Sequence, residues 1–361
     1  MNTKRPVKRW GWILIIAAIV LVGGYIIAVS WIRLPSPVDL LTGHLGPDFT
    51  CKSDNPILLA PMTSVADIEI DRQSIYWLTR GNPGAVMKMS RSNGKIQQLA
   101  EVQSEPYALL EDDTSLFWVE GSWQPETNFI LKRIDKHGGN VAELWRTHGT
   151  IMQLDMDGNY LYWFDYEDQS VLRMSKERGE PDVLLSNLDG LRYFTILNGQ
   201  IYLGTDDWLG VLDQQEEMPR ILITTDQLLQ ELHIGLRDER SVYFIGPVIQ
   251  EFNHEIIFTF SVENNPGWIS CSDNSVRILG LPEVDGVPRI IMTVSGPLTN
   301  IGMIDKTLYS IGGCFGGQVI NMDTGETSTI EIGYDAYNLA FDKKHIFWTD
   351  NEGLKCIRRP K

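Results

Sequence analysis

The 361-residue chain has only four cysteines, Cys51, Cys271, Cys314 and Cys356, and none of them form a Cys-x-x-Cys pair. A structural zinc site is thereby disfavoured, because its ligands come in closely spaced pairs. No HExxH, GxSxG or phosphate-binding glycine loop occurs, so the common hydrolase and nucleotide signatures are absent. There is no Asn-x-Ser/Thr sequon, which fits a bacterial envelope protein better than a glycosylated animal ectodomain. Beyond residue 32 no stretch sustains helical periodicity, and 32 glycines with 17 prolines suit a loop-rich all-β chain.

Negative charge is missing from the amino terminus. Residues 1–34 hold Lys4, Arg5, Lys8, Arg9 and Arg33 and no acid, and residues 11–32 are uncharged throughout. A bilayer core needs about 20 apolar helical residues, so this run is long enough to span one. Trp10, Trp12 and Trp31 fall near its two ends, where indoles favour the membrane interface. The expected layout is a basic cytoplasmic segment (1–10), a transmembrane signal-anchor helix (11–32), a linker (33–54) and an extracytoplasmic domain (55–361), periplasmic or extracellular. A cleaved signal peptide is the alternative, although its apolar core would be long, since about 7–15 residues is usual. Either way the remainder is exported, and export permits disulfides. It carries 26 basic against 47 acidic residues, a net −21. Phosphate backbones repel such a domain, so nucleic acid is not an expected partner.

Short apolar-aromatic segments recur along the rest of the chain: SIYWLT (74–79), SLFWVE (115–120), YLYWFD (160–165), QIYLGT (200–205), SVYFIG (241–246), TLYSIG (307–312) and HIFWTD (345–350). Their aromatic residues are spaced by 41, 45, 40, 41, 66 and 38 residues. Steps near 40 are the period of propeller blades, and the long step reads as an insertion. Each copy is preceded by one strand-like segment and followed by two, joined by turns such as Asn93-Gly94. A unit is therefore four antiparallel strands, a to d, with the aromatic segment as strand b. Seven units fit, but the last (336–361) supplies only three strands. NPILLA (55–60) is an orphan before the first unit and resembles the fourth strands KIQQLA and PDVLLS. Pairing it with 354–359, residue 356 opposite about 58, would close the ring and hide two open edges. The expected fold is a seven-bladed β-propeller of four-stranded antiparallel blades, with an insertion at 247–274 placed between strands b and c of blade five.

YLYWFD and HIFWTD, followed by strands such as SVLRMS, resemble the YWTD repeat of low-density-lipoprotein-receptor-type propellers. With seven units rather than that group's six, the chain looks like a bacterial YWTD-like or NHL-like propeller. The tryptophans are expected to pack between blades.

Loops that join strands b and c share one rim, and loops on a rigid scaffold are where binding groups concentrate. They hold Trp123, Tyr166, Glu167, Asp168, Asp206, Asp207, Trp208, Phe315 and Asn351. Aromatics beside carboxylates suit a protein, peptide, carbohydrate or cationic ligand. Cys271 and Cys314 fall in b–c segments of neighbouring blades and are expected to form a disulfide, whereas Cys51 overshoots Cys356 in the proposed ladder, leaving that pairing open. His148 and His254 are both expected on this rim. The adjacent Asp206-Asp207 pair points to opposite faces if extended and makes a poor acid/base dyad. No catalytic residue, metal ligand or cofactor is assigned. The expected role is ligand or protein binding or scaffolding. The alternatives are a hydrolase or lyase at the b–c rim, and an envelope protein that assembles through the blade-five hairpin.

Overall fold

The computed structural model describes residues 51 and 55–360, apart from short stretches at 62–63, 82, 122–127, 214–215, 234–240, 245–249, 253, 264–273, 283–285, 296–297, 313–315 and 334–335. The apolar segment 11–32 lies outside the described residues, among which no helix is long and apolar enough to cross a membrane.

Seven antiparallel sheets form the seven blades of a β-propeller. Their first strands are Val65–Ile70, Pro106–Glu111, Ile151–Met156, Leu191–Leu197, Ser241–Phe244, Leu298–Ile304 and Tyr337–Phe341. Strands a of blades six, seven, one, two, three and four lie side by side around the axis. The strands b run Ser74–Thr79, Ser115–Glu120, Tyr160–Asp165, Gln200–Thr205, Glu255–Glu263, Thr307–Gly312 and His345–Thr349.

The buried apolar residues fall into seven clusters, one in each seam between blades. This explains the repeated aromatic pair. Successive side chains of a strand point to opposite faces, and both faces of strand b are covered. Tyr76 enters the seam with the next blade and Trp77 the seam with the preceding one. Phe117/Trp118, Tyr162/Trp163 and Phe347/Trp348 divide in the same way. The four tryptophans are at most 2% exposed. They are inter-blade core, as the sequence leads one to expect.

The last blade is a composite of the two ends. The closing strand Ile57–Pro61 pairs with Gly353–Arg358, in the order Ile57–Pro61, Gly353–Arg358, His345–Thr349, Tyr337–Phe341. Cys356 lies opposite Ile57, one residue from the expected partner, and the register shifts between Leu58 and Ala60. The bulged residue, Leu59, is turned into the seam between blades seven and one. Cys51 lies in the same seam and is joined to Cys356 by a disulfide, with Cα atoms 6.1 Å apart. The expectation that Cys51 would overshoot is thus corrected, because Cys51 lies within disulfide reach of Cys356 instead of extending the ladder past it. Cys271 and Cys314 lie outside the described residues.

Blade five departs most from expectation. Ser241–Phe244, read from its aromatic as strand b, is strand a and pairs with Glu255–Glu263. That longer segment is strand b, and it pairs in turn with Asn274–Pro282. The extra residues are therefore divided between the a–b connection at 245–254, where Gln250–Phe252 adds a short hairpin strand, and the b–c connection at 264–273. The reason is burial. Ile256, Ile257, Phe258 and Phe260 make a run that is apolar on both faces, which suits a doubly covered central strand. The apolar strand Glu255–Glu263 is buried inside the blade rather than standing out from it. A helix, Thr225–Glu231, precedes this blade where a strand from about 232 is expected; Thr224 and Gln227 form its capping box.

Candidate functional site

On blades three, four and seven the b–c rim is built on a polar residue at or just past the end of strand b. Asp165 Oδ1 accepts hydrogen bonds from the backbone N–H groups of Glu167 and Asp168, both at 3.1 Å. Asp350 Oδ1 does the same for Glu352 at 2.9 Å and Gly353 at 3.3 Å, and its Oδ2 meets Lys355 Nζ at 2.8 Å. Thr205 Oγ1 accepts from the N–H groups of Asp207 and Trp208 at 3.1 and 3.0 Å. The acid that closes the YWFD and HIFWTD motifs is therefore a turn cap, a use for which Asp is well shaped. Burial is the main influence on Asp165 and raises its pKa.

The caps present the candidate residues. Tyr166 is 54% exposed and meets Phe164 edge-on, ring centroids 6.5 Å apart. Asp168 and Asp207 are exposed on adjacent blades three and four. Asp206 is held by Arg192, which donates from Nε at 2.6 Å and from Nη2 at 3.2 Å. Glu167 is exposed but folds back onto Thr150, accepting from its hydroxyl at 2.7 Å and from its backbone N–H. Trp208 is half-buried against the blade-three/four core. Asn351 is exposed in blade seven, across the ring from the others. Trp123 and Phe315 lie outside the described residues. The rim thus gathers Tyr166, Asp168, Asp206, Asp207 and Trp208 on two neighbouring blades and leaves Asn351 apart. His148 is exposed in the loop that leads into strand a of blade three. His254 is not on this rim, because it lies in the turn before strand b of blade five, at the other end of the molecule.

Charge divides between the two faces. The rim loops carry Glu105, Asp168, Asp189, Asp207, Asp226 and Glu331 among their acids, while Arg80 is the only Arg or Lys in those loops among the described residues. The opposite face is mixed, and its cations do a specific job. The residue after strand c reaches back to the a–b turn of the preceding blade. Lys136 meets Asp71 at 3.0 Å and also Glu111. Lys176 meets Asp112 at 3.5 Å, Arg359 meets Asp305 at 3.1 Å, and Arg91 pairs with Asp342. Three of these cations also sit over the strand-b aromatic of the preceding blade, at 5.2 Å for Arg91–Phe347, 5.3 Å for Lys136–Tyr76 and 5.8 Å for Lys176–Phe117. For Asp342 burial opposes ionisation, but Arg91 and the Lys344 N–H outweigh it and lower the carboxyl to about 2. This chain of clasps runs through blades six, seven, one, two and three, across the closure. It escapes the sequence reading because each pair joins different units. The visible signal is an Asp opening most a–b turns and a base just past strand c.

The inner wall carries a second set of carboxylates. Burial raises Asp67 to about 6 and lifts Glu69, Glu111 and Asp155 as well. Asp67 Oδ2 accepts from the Leu109 N–H of the next blade at 2.9 Å. Asp155 Oδ2 accepts from Ile196 N–H at 2.8 Å and from the Thr195 hydroxyl at 2.9 Å, again across a seam. These acids bridge blades. Among the described residues no three His, Cys, Asp or Glu side chains are grouped to hold a metal.

No family model matches the chain, and no curated protein matches it in sequence. Solved propellers match it in structure. Virginiamycin B lyase from Staphylococcus aureus is 11% identical, with a TM-score of 0.58 over 85% of this chain and 99% of its own. An oligogalacturonate lyase in complex with manganese is 13% identical, with 0.59 over 85% and 93%. BamB from Moraxella catarrhalis is 12% identical, with 0.50 over 82% and 86%. At these identities the likeness shows the fold alone.

Proposed function

We propose that this chain is a membrane-tethered, extracytoplasmic propeller whose b–c rim binds a basic segment of a protein partner. The observation that carries the reading is the charge division. Among the described residues one rim's loops carry acids and a single base and present the exposed ring of Tyr166 between carboxylates, while four cations of the opposite face are held in inter-blade clasps. An acidic, loop-borne surface steers cationic partners, and an exposed aromatic gives them apolar contact. The tether rests on the uncharged segment 11–32 and its basic flank.

The enzyme alternative draws on the lyases among the structural neighbours. It loses its two-histidine basis, since His148 and His254 lie at opposite ends. Assembly through a projecting blade-five hairpin loses its basis too, since that apolar strand is inside the blade.

The test uses the full chain in lipid nanodiscs, titrated with a labelled Lys-rich peptide and an acidic peptide of equal length. The basic peptide is expected to bind and to weaken as salt rises, and Asp168→Asn with Asp207→Asn to reduce affinity several-fold. Equal binding of both peptides, or no change in the double variant, overturns the rim assignment. Release of the chain from membranes by alkaline carbonate overturns the tether.

A further inference from the structure

The position of Cys51 gives the disulfide a mechanical meaning. The closing strand Ile57–Pro61 is the outermost of its blade and hydrogen-bonds to one neighbour only, through a short, bulged ladder. It is also the first strand after the amino-terminal segment. A pull on that segment would enter the ring at this outermost strand and peel it away. Cys51 stands upstream of that strand and is bonded to Cys356. Cys356 belongs to Gly353–Arg358, which is paired on both sides, with Ile57–Pro61 and with His345–Thr349. Both cysteines are buried in the blade-seven/one seam, Cys356 at 0% and Cys51 at 8% exposure.

We propose that the Cys51–Cys356 disulfide is a tether clamp. It passes tension from the amino-terminal segment directly to an interior strand of blade seven, so that the closing strand is bypassed. The proposal deepens the membrane-tethered reading above, because a clamp of this kind matters for a domain held at that end and engaged by a partner at its rim. Burial of both sulfurs keeps the bond away from reductants while the seam is shut, as a permanent fastening requires.

The experiment stretches the full chain in an optical trap, with one handle at its amino terminus and one inserted between Arg178 and Gly179, in the exposed c–d turn of blade three. Without the clamp, peeling of the closing strand frees residues 52–61, roughly 35 Å of extended chain at about 3.5 Å per residue. The oxidised protein is expected to lack this early short step, and Cys51→Ser to show it at low force. Should Cys51→Ser fail to fold, the wild-type chain is unfolded in the trap, treated with a dithiol and relaxed to refold before a second pull. The dithiol becomes a disulfide as it passes two electrons and two protons to the Cys51 and Cys356 sulfurs, and the same step should then appear. A short first step in the oxidised protein, or its absence after the bond is removed, overturns the clamp. The readout does not depend on whether 11–32 lies in a bilayer, so failure of the anchor and failure of the clamp are told apart.

Discussion

Replacing Leu59 with alanine tests whether Ile57–Pro61 closes the ring or merely lies along its edge. Leu59 is 4% exposed and packs with Val65, Ile75, Trp77 and Phe347 in the seam between blades seven and one. Its neighbour Leu58 points outward and is 43% exposed. Truncating a buried leucine in a rigid core costs about 2–5 kcal/mol, from lost transfer energy and from the cavity left behind. Leu59 lies on a bulged outer strand that can relax inward, so the low end applies, about 2–3 kcal/mol. Leu58→Ala serves as the control and should stay within about 0.5 kcal/mol of wild type, as surface changes do. The assay is urea unfolding followed by tryptophan fluorescence, since Trp77 and Trp348 flank the closing blade on its two sides. If the closing strand is integral, Leu59→Ala lowers the midpoint of the single main transition. A frayed terminal strand would behave differently. Its truncation would leave the main midpoint within about 0.5 kcal/mol of wild type, or add a small separate early transition, and either result would refute the closure argument.

Two further expectations concern charge. Lys136→Met keeps most of the stem but leaves Asp71 and Glu111 without the cation between them; Lys136 is only 7% exposed, so about 2–4 kcal/mol should be lost in urea unfolding at pH 7, and a loss below about 0.5 kcal/mol would show the clasp to be idle. Asp67 gives a pH signature: burial raises its folded pKa to about 6, above the ordinary 3.8, so the folded protein takes up a proton that the unfolded chain does not. Stability should then be greatest below about pH 4 and fall as pH rises through about 6, by roughly 1–3 kcal/mol for a group deep in the channel wall that keeps some solvent contact. Asp67→Asn keeps an acceptor for the Leu109 N–H and should flatten that slope in urea midpoints measured from pH 4.5 to 7.5; an unchanged slope would assign it to another acid, Glu69 first.

The fold was legible because each blade repeats a covered central strand, and a strand covered on both faces writes an aromatic-Trp pair into the sequence. Closure was legible for the same reason, since an orphan strand and a three-stranded unit have one economical solution. Blade five misled because the search followed aromatic spelling, and Tyr243 matched while the real central strand, Glu255–Glu263, carries Phe258 and Phe260 without tryptophan. Its unbroken apolar run was the better signal. The Cys51–Cys356 bond depends on where Cys51 sits outside the paired strands, which strand periodicity cannot register. On the rim, the structure places Tyr166, Asp168 and Asp207 exposed in b–c loops. The sequence could not foresee that Glu167 folds back onto Thr150 or that Arg192 grips Asp206, because both contacts join segments that the repeat treats separately.

The composite last blade also constrains how such a chain can change its number of units. A unit added or lost beyond Gly353–Arg358 would leave Ile57–Pro61 without its partner, and a unit added before Val65 would separate that strand from the seam it fills. Because one blade is shared between distant parts of the sequence, the count can alter without stranding an edge only by duplication or deletion of whole units inside the ring. The closing strand therefore acts as a counting device, and any variant with six or eight blades should carry its extra or missing copy between the first and last repeats.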